Sequence, residues 1–159
     1  MNAEDKTLFQ IAGLGFMAGL RSASPHAFLA AHFQGEEAQL EGTPFRWLAT
    51  PTAATLLTLM AAGELAADKV PSIPARVEPG PLIGRALSGA SAGAALSMAR
   101  DRSPAAGAAL GAVAALAGTF AGYYARRALT QGSGLPDPPV ALLEDALVIV
   151  GGQLLLDEG

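Results

Sequence analysis

Four stretches of this chain, residues 48–67, 82–99, 104–125 and 140–156, stay apolar for as long as a helix needs to cross a bilayer. The hydrocarbon core is about 30 Å thick, so a spanning helix takes roughly 20 residues, or about 17 at the short end. A fifth stretch, residues 8–20, is too short alone, but it continues through Arg21, Ser22, Ala23, Ser24 and Pro25 into residues 26–33. Proline removes an internal hydrogen bond and disfavours helix in the residue before it. This first region is therefore either one kinked span or two half-helices meeting near Arg21 to Pro25. The pattern predicts an all-α integral membrane helical bundle of about five hydrophobic segments, forming one transmembrane domain over residues 1–159.

Composition agrees with lipid as the solvent. Charged residues make up 15% of the chain, against about 25% in an ordinary soluble domain. Alanine, glycine and leucine supply the apolar character, and aromatics are only 6%, which is poor material for a water-soluble core but suits close helix packing in a membrane. Cysteine is absent, so disulfides, thiol catalysis and cysteine metal sites are excluded. A net charge of −4 leaves no basic footprint for nucleic acid. The N-terminus opens on Glu4, Asp5 and Lys6 rather than on a basic leader, so the first apolar segment is expected to be retained.

The connections are short and full of helix breakers. Residues 70–81 carry four prolines and read as a stiff loop between the second and third spans. Arg100 to Ser103 is a tight turn, with Ser103 placed to cap a helix that starts at Pro104, so the third and fourth spans form an antiparallel hairpin. Glu36, Glu37 and Glu41 mark a hydrophilic loop, and Phe45, Arg46 and Trp47 after it suit the headgroup zone. Gly15 and Gly19, Gly89 and Gly93, Gly107 and Gly111, and Gly118 and Gly122 each fall four apart, on one helix face, where backbones can approach closely. Alternation from the N-terminus puts Lys6, Lys69, Arg76, Arg126 and Arg127 on one side, with Arg85 near it. Arg46, Arg100, Arg102 and Arg21 fall on the other, which favours a cytoplasmic N-terminus in the inner (plasma) membrane. A re-entrant first segment would reverse that assignment.

Function has to reside in the charges within the apolar runs. Glu64 and Asp68 are i and i+4 on one helix face near the end of the second span, and Glu144 and Asp145 lie near the start of the fifth, on the same side. Glu144 and Asp145 point about 100° apart, so only one can face Glu64 squarely. Trimming them away would leave residues 146–156, too few to span, so at least one lies below the interface or lines a cavity. Buried carboxylates of this kind bind a small ion or exchange protons, or they form a salt-bridged structural network with arginines. Arg21, at the break, is a counter-ion or substrate contact, and Arg76 and Arg85 are candidate lipid headgroup contacts. His26 and His32, six apart, do not make a metal site, and no nucleophile, zinc or cofactor motif appears, so neither an enzyme nor a cofactor is expected.

Gly15-x-x-x-Gly19-x-Arg21-Ser22-x-x-Pro25, Glu64-x-x-x-Asp68-Lys69-x-Pro71 with Arg76 and Arg85, and Glu144-Asp145 together resemble a family of small bacterial multi-pass membrane proteins catalogued as a domain of unknown function. The resemblance covers nearly the whole chain. It implies a helical membrane architecture and a bacterial origin, and it brings no established activity. The expected function is transport-like or channel-like, in a homo-oligomer with lipid around it, with Glu64, Asp68, Glu144, Asp145 and Arg21 as the ion or proton site. The alternative is an accessory or structural subunit of a larger membrane complex.

Overall fold

The computed structural model of the chain describes residues 2–67, 77–132 and 136–157. Among them there is helix and no strand: α1 (Ala3–Leu20), α2 (Ser24–Phe33), α3 (Pro51–Ala67), α4 (Pro79–Ala99), α5 (Pro104–Arg127) and α6 (Asp137–Asp157). Two 3-10 turns, Glu37–Leu40 and Arg46–Ala49, join α2 to α3, and α5 ends in a π turn, Ala128–Gly132. Local chemistry sets several of these ends. The Asn2 side chain accepts the Asp5 N–H at the start of α1, and Ser103 accepts the Ala106 N–H with Pro104 in the first turn of α5.

Helices α1, α4 and α5 form the centre of the bundle, and glycine is what lets them meet. A methyl group added at Gly93 would fall on the Gly107 carbonyl, and one at Gly89 on the Gly111 carbonyl. Gly15 likewise faces the Gly111 carbonyl, Gly19 faces Ala115 and Thr119, and Gly118 faces the backbone of Phe16. Backbone-to-backbone contact of this kind supplies dense dispersion contacts where large side chains are scarce. The α4–α5 pair is the antiparallel hairpin expected from the sequence.

The first region is not a kinked span. Gln10 donates from its side-chain amide to the Leu155 carbonyl, and Gly13 lies against Leu155. Phe28 lies against Gly152, so both arms flank the same stretch of α6. Helix α2 has therefore turned back and runs antiparallel to α1. Arg21, at φ −142° and ψ 110°, is extended and ends α1, and Pro25 sits in the first turn of α2. The reversal changes the parity of everything after it. Lys6 shares an end with Arg46, Arg100 and Arg102, as the 3.4 Å pair between Arg102 and Glu4 shows. Arg21 joins Arg85, Arg126 and Arg127 at the opposite end, so the sides expected for Lys6 and Arg21 are exchanged.

Two helices among the described residues, Pro104–Gly132 and Asp137–Leu156, are long and apolar enough to cross a membrane. The exterior carries large apolar side chains on every long helix. Phe9, Leu59, Met60, Ile83, Leu87, Val113, Leu143 and Leu154 are each between 59% and 66% exposed. Away from the glycine seams, the side-chain core gathers Ile11, Leu29, Phe33, Leu40, Leu48 and Leu96, where the 3-10 turns close the end of the bundle that holds the N-terminus. Trp47 stays 48% exposed beside it.

Candidate functional site

A reversal between two helices leaves carbonyls unpaired at the end of α1 and N–H groups unpaired at the start of α2. Charged side chains from distant helices satisfy them. Arg85 of α4 donates to the Gly19 carbonyl at 2.7 Å, the Thr119 hydroxyl of α5, which donates to its own Ala115 carbonyl at 2.8 Å, lies 3.2 Å from the same oxygen, and Arg21 turns back to the Leu20 carbonyl at 3.1 Å. On the other strand of the turn, Glu64 of α3 accepts the backbone N–H groups of Ser22 and Ala23, both at 2.7 Å, and the Ser22 hydroxyl at 2.9 Å. Each sign of charge is the one that complements the helix end it meets, cations at the C-terminus of α1 and an anion at the N-terminus of α2.

Arg21 is 1% exposed, and an ion pair holds its buried charge. Its Nε lies 3.0 Å from Asp145 Oδ1, its Nη2 donates to the same oxygen, and its Nη1 stands 3.8 Å from Glu144 Oε1. Asp145 is the member of the acidic pair that faces the bundle. Glu144 sits between Arg21 and Arg126, 4.0 Å from the Nη1 of the latter. Arg126 also makes a two-pronged contact with Asp137, at 2.8 and 2.7 Å, which ties the end of α5 to the start of α6. Glu64 and Arg85 complete the cluster at 3.8 Å. Among the described residues the cluster thus joins Arg21, Arg85 and Arg126 with Glu64, Asp137, Glu144 and Asp145.

A polar thread leads from this cluster into the bundle. The Ser88 hydroxyl donates to the Ser22 carbonyl at 2.5 Å and lies 3.5 Å from His26 Nδ1. His26 Nε2 lies 2.8 Å from the Ser91 hydroxyl, which itself donates to the Ser88 carbonyl. With both serine protons committed to carbonyls, the network assigns the proton of a neutral His26 to Nε2, so that it donates to Ser91.

Of the residues singled out in the sequence, Glu64, Glu144, Asp145, Arg21 and Arg85 are brought together. Asp68 and Arg76 lie outside the described residues. Arg85 does not face the surface, as a headgroup contact requires. It is 9% exposed and points into the hairpin turn. Among the described residues no three His, Asp or Glu side chains are grouped as metal ligands. Arg126, one of the basic residues the sequence offers as a partner for the acidic pairs, joins them, whereas sequence reasoning passed over Ser88, Ser91, Thr119 and Asp137 as members of the site. Ser88 and Ser91 carried a signal, two hydroxyls three apart on one face of an apolar helix.

The profile of a family described as a domain of unknown function (DUF4126) matches residues 8–157. No curated protein and no solved structure matches the chain.

Proposed function

We propose that this chain, which belongs to the DUF4126 family of unknown function, is a small multi-pass membrane protein of transporter-like or channel-like type, with its exchange site at the tip of the α1–α2 hairpin. In this reading all the long helices cross the bilayer and α2 enters it from one side, which explains the apolar side chains exposed on every face. A bacterial inner membrane is the proposed location. The end bearing Arg21, Arg85, Arg126 and Arg127 is cytoplasmic, because the sequence joining α3 to α4 adds Lys69 and Arg76 there, against Lys6, Arg46, Arg100 and Arg102 at the other end. The N-terminus is then on the outer side.

The observation that carries the proposal is a broken helix pair whose turn is packed with buried carboxylate and guanidinium groups from distant helices. Glu64 is the exchanging group and the Arg21–Asp145 pair the fixed counter-charge. Glu64 is held chiefly by N–H and hydroxyl donors, with Arg85 at 3.8 Å, whereas Asp145 is bound directly by a guanidinium. A proton or small cation arriving at Glu64 weakens its grip on Ser22 and Ala23, which couples occupancy to the contact between α3 and the hairpin tip. Reconstitution into liposomes tests this. Glu64→Gln and Glu144→Gln are expected to reduce proton or cation flux at least about tenfold, about 1.4 kcal/mol at the barrier. Folded variants with flux unchanged for every ion tried refute the assignment.

One observation favours the accessory-subunit reading: among the described residues no buried side-chain nitrogen or oxygen lacks a hydrogen-bond partner. A satisfied network on a glycine-packed core also suits a rigid packing module. Gentle detergent extraction separates the two, since a stoichiometric larger partner supports the accessory role and a homo-oligomer alone counts against it.

A further inference from the structure

Arg126 and Asp137 clamp the end of α5 to the start of α6. Between the two helices, floored by α1, lies a cleft of about 270 Å³ with walls that include Phe16, Leu143 and Leu147, and with Arg126 and Glu144 at its head. A second hollow of about 380 Å³, between α1 and α6, shares Phe16 and Leu147 with the first and continues to Leu154 and Lys6. From Val140 to Leu154 this groove follows α6 for roughly 21 Å at about 1.5 Å per residue. One leaflet of hydrocarbon is about half of 30 Å deep.

The head of the groove is polar, with Arg126 and Arg127 against Asp137 and Glu144. A recess of about 410 Å³ shares Arg126 with the cleft and is lined also by Tyr123, Arg127, Gln131 and Asp137. Asp137 is engaged by both prongs of Arg126 and Glu144 is turned to Arg21 and Arg126, so the carboxylates at this head are spent on internal pairs. Arg127 is exposed and supplies the remaining positive charge. The Tyr123 hydroxyl adds a donor beside it.

We infer that the groove along α6, bounded by α5 at its head and by α1 beyond, binds an anionic glycerophospholipid, with an acyl chain against Phe16 and Leu147 and the phosphate in the recess at Arg127. The apolar groove matches the chain in length and chemistry, and the arginine-bearing recess matches a negative head at the depth where headgroups lie. The inference rests on the membrane-embedded reading proposed above and is separate from the hairpin-tip site.

Native mass spectrometry of the full chain, purified in detergent and titrated with phosphatidylglycerol or phosphatidylcholine, tests it. The wild type is expected to retain phosphatidylglycerol at concentrations about tenfold lower than phosphatidylcholine, and Arg127→Gln to bring the two within about twofold. Ala121 and Ala125 line the cleft and are exposed, so Ala121→Leu with Ala125→Leu fills it without disturbing the core. That variant is expected to lose retention of both lipids while melting at the wild-type temperature. Equal retention of the two lipids by the wild type, or undiminished retention by the filled variant, overturns the inference. Alkaline carbonate washing of membranes keeps the two readings apart: release of the chain removes the membrane reading and this site with it, whereas an embedded chain without lipid preference removes the site alone.

Discussion

Replacing Arg21 by methionine keeps most of the side-chain volume and removes the guanidinium that holds Asp145. Asp145 is then left as a carboxylate 7% exposed without its main cation, and the Leu20 carbonyl loses a donor. Breaking a buried ion pair from one side costs about 3–5 kcal/mol, because the surviving charge stays buried. For a chain of this size about 2–4 °C of melting temperature accompany each kcal/mol, so Arg21→Met is expected to melt about 6–20 °C lower. Asp145→Leu should fall by a similar amount, since it removes the carboxylate that Arg21 bonds directly, with Glu144 standing off at 3.8 Å. The double variant removes both charges and should recover most of the loss, with a coupling of at least about 2 kcal/mol. Thermal unfolding in one detergent, with all four proteins side by side, is the assay. A single-variant drop below about 2 °C, or a double variant as unstable as the sum of the singles, would refute the reading of Arg21–Asp145 as the bond that holds the hairpin tip.

Two further outcomes follow from the packing. Gly93→Leu drives a side chain into the Gly107 carbonyl and is expected to cost at least about 3 kcal/mol or to block folding, whereas Gly63→Ala, with nothing within 4 Å of its added methyl, should gain up to about 1 kcal/mol from helix propensity. Thermal melting of both variants checks this contrast. The chain has no cysteine, so Ser103→Cys and Gln131→Cys give unique labels at the two ends of α5. An impermeant maleimide should reach Ser103→Cys in intact cells and Gln131→Cys only after permeabilisation. Labelling with the sides reversed rejects the proposed orientation, and labelling of both from one side rejects a spanning α5.

Much of the fold is visible in the sequence because the signals are local. The apolar runs, the proline at 104 behind a capping Ser103, and the four-residue glycine spacing each act within a turn or two of helix. They produce α3 to α6 close to the expected limits and the glycine seams between α4 and α5. The same signals located Arg21, Glu64, Glu144 and Asp145 as charges that apolar surroundings would force into pairs. The part played by Thr119 was not visible, and Ser88 and Ser91 showed only as two hydroxyls on one face of α4. A hydroxyl in a helix gains a role from the element packed on it, and that element is far away in the chain.

The sequence by itself determined that this chain is helical, where its helices break and which charges they bury, because hydrophobic length, proline and glycine act through the backbone within a few residues. Only the tertiary structure decided that the break at Arg21 to Pro25 is a full reversal, and that Asp145 rather than Glu144 takes Arg21 while Glu64 caps α2. A break permits a kink and a hairpin equally. The choice falls to contacts across the fold, the Glu64 carboxylate on the Ser22 and Ala23 N–H groups and the Arg85 guanidinium on the Gly19 carbonyl, which pair both sides of the turn when the chain turns back.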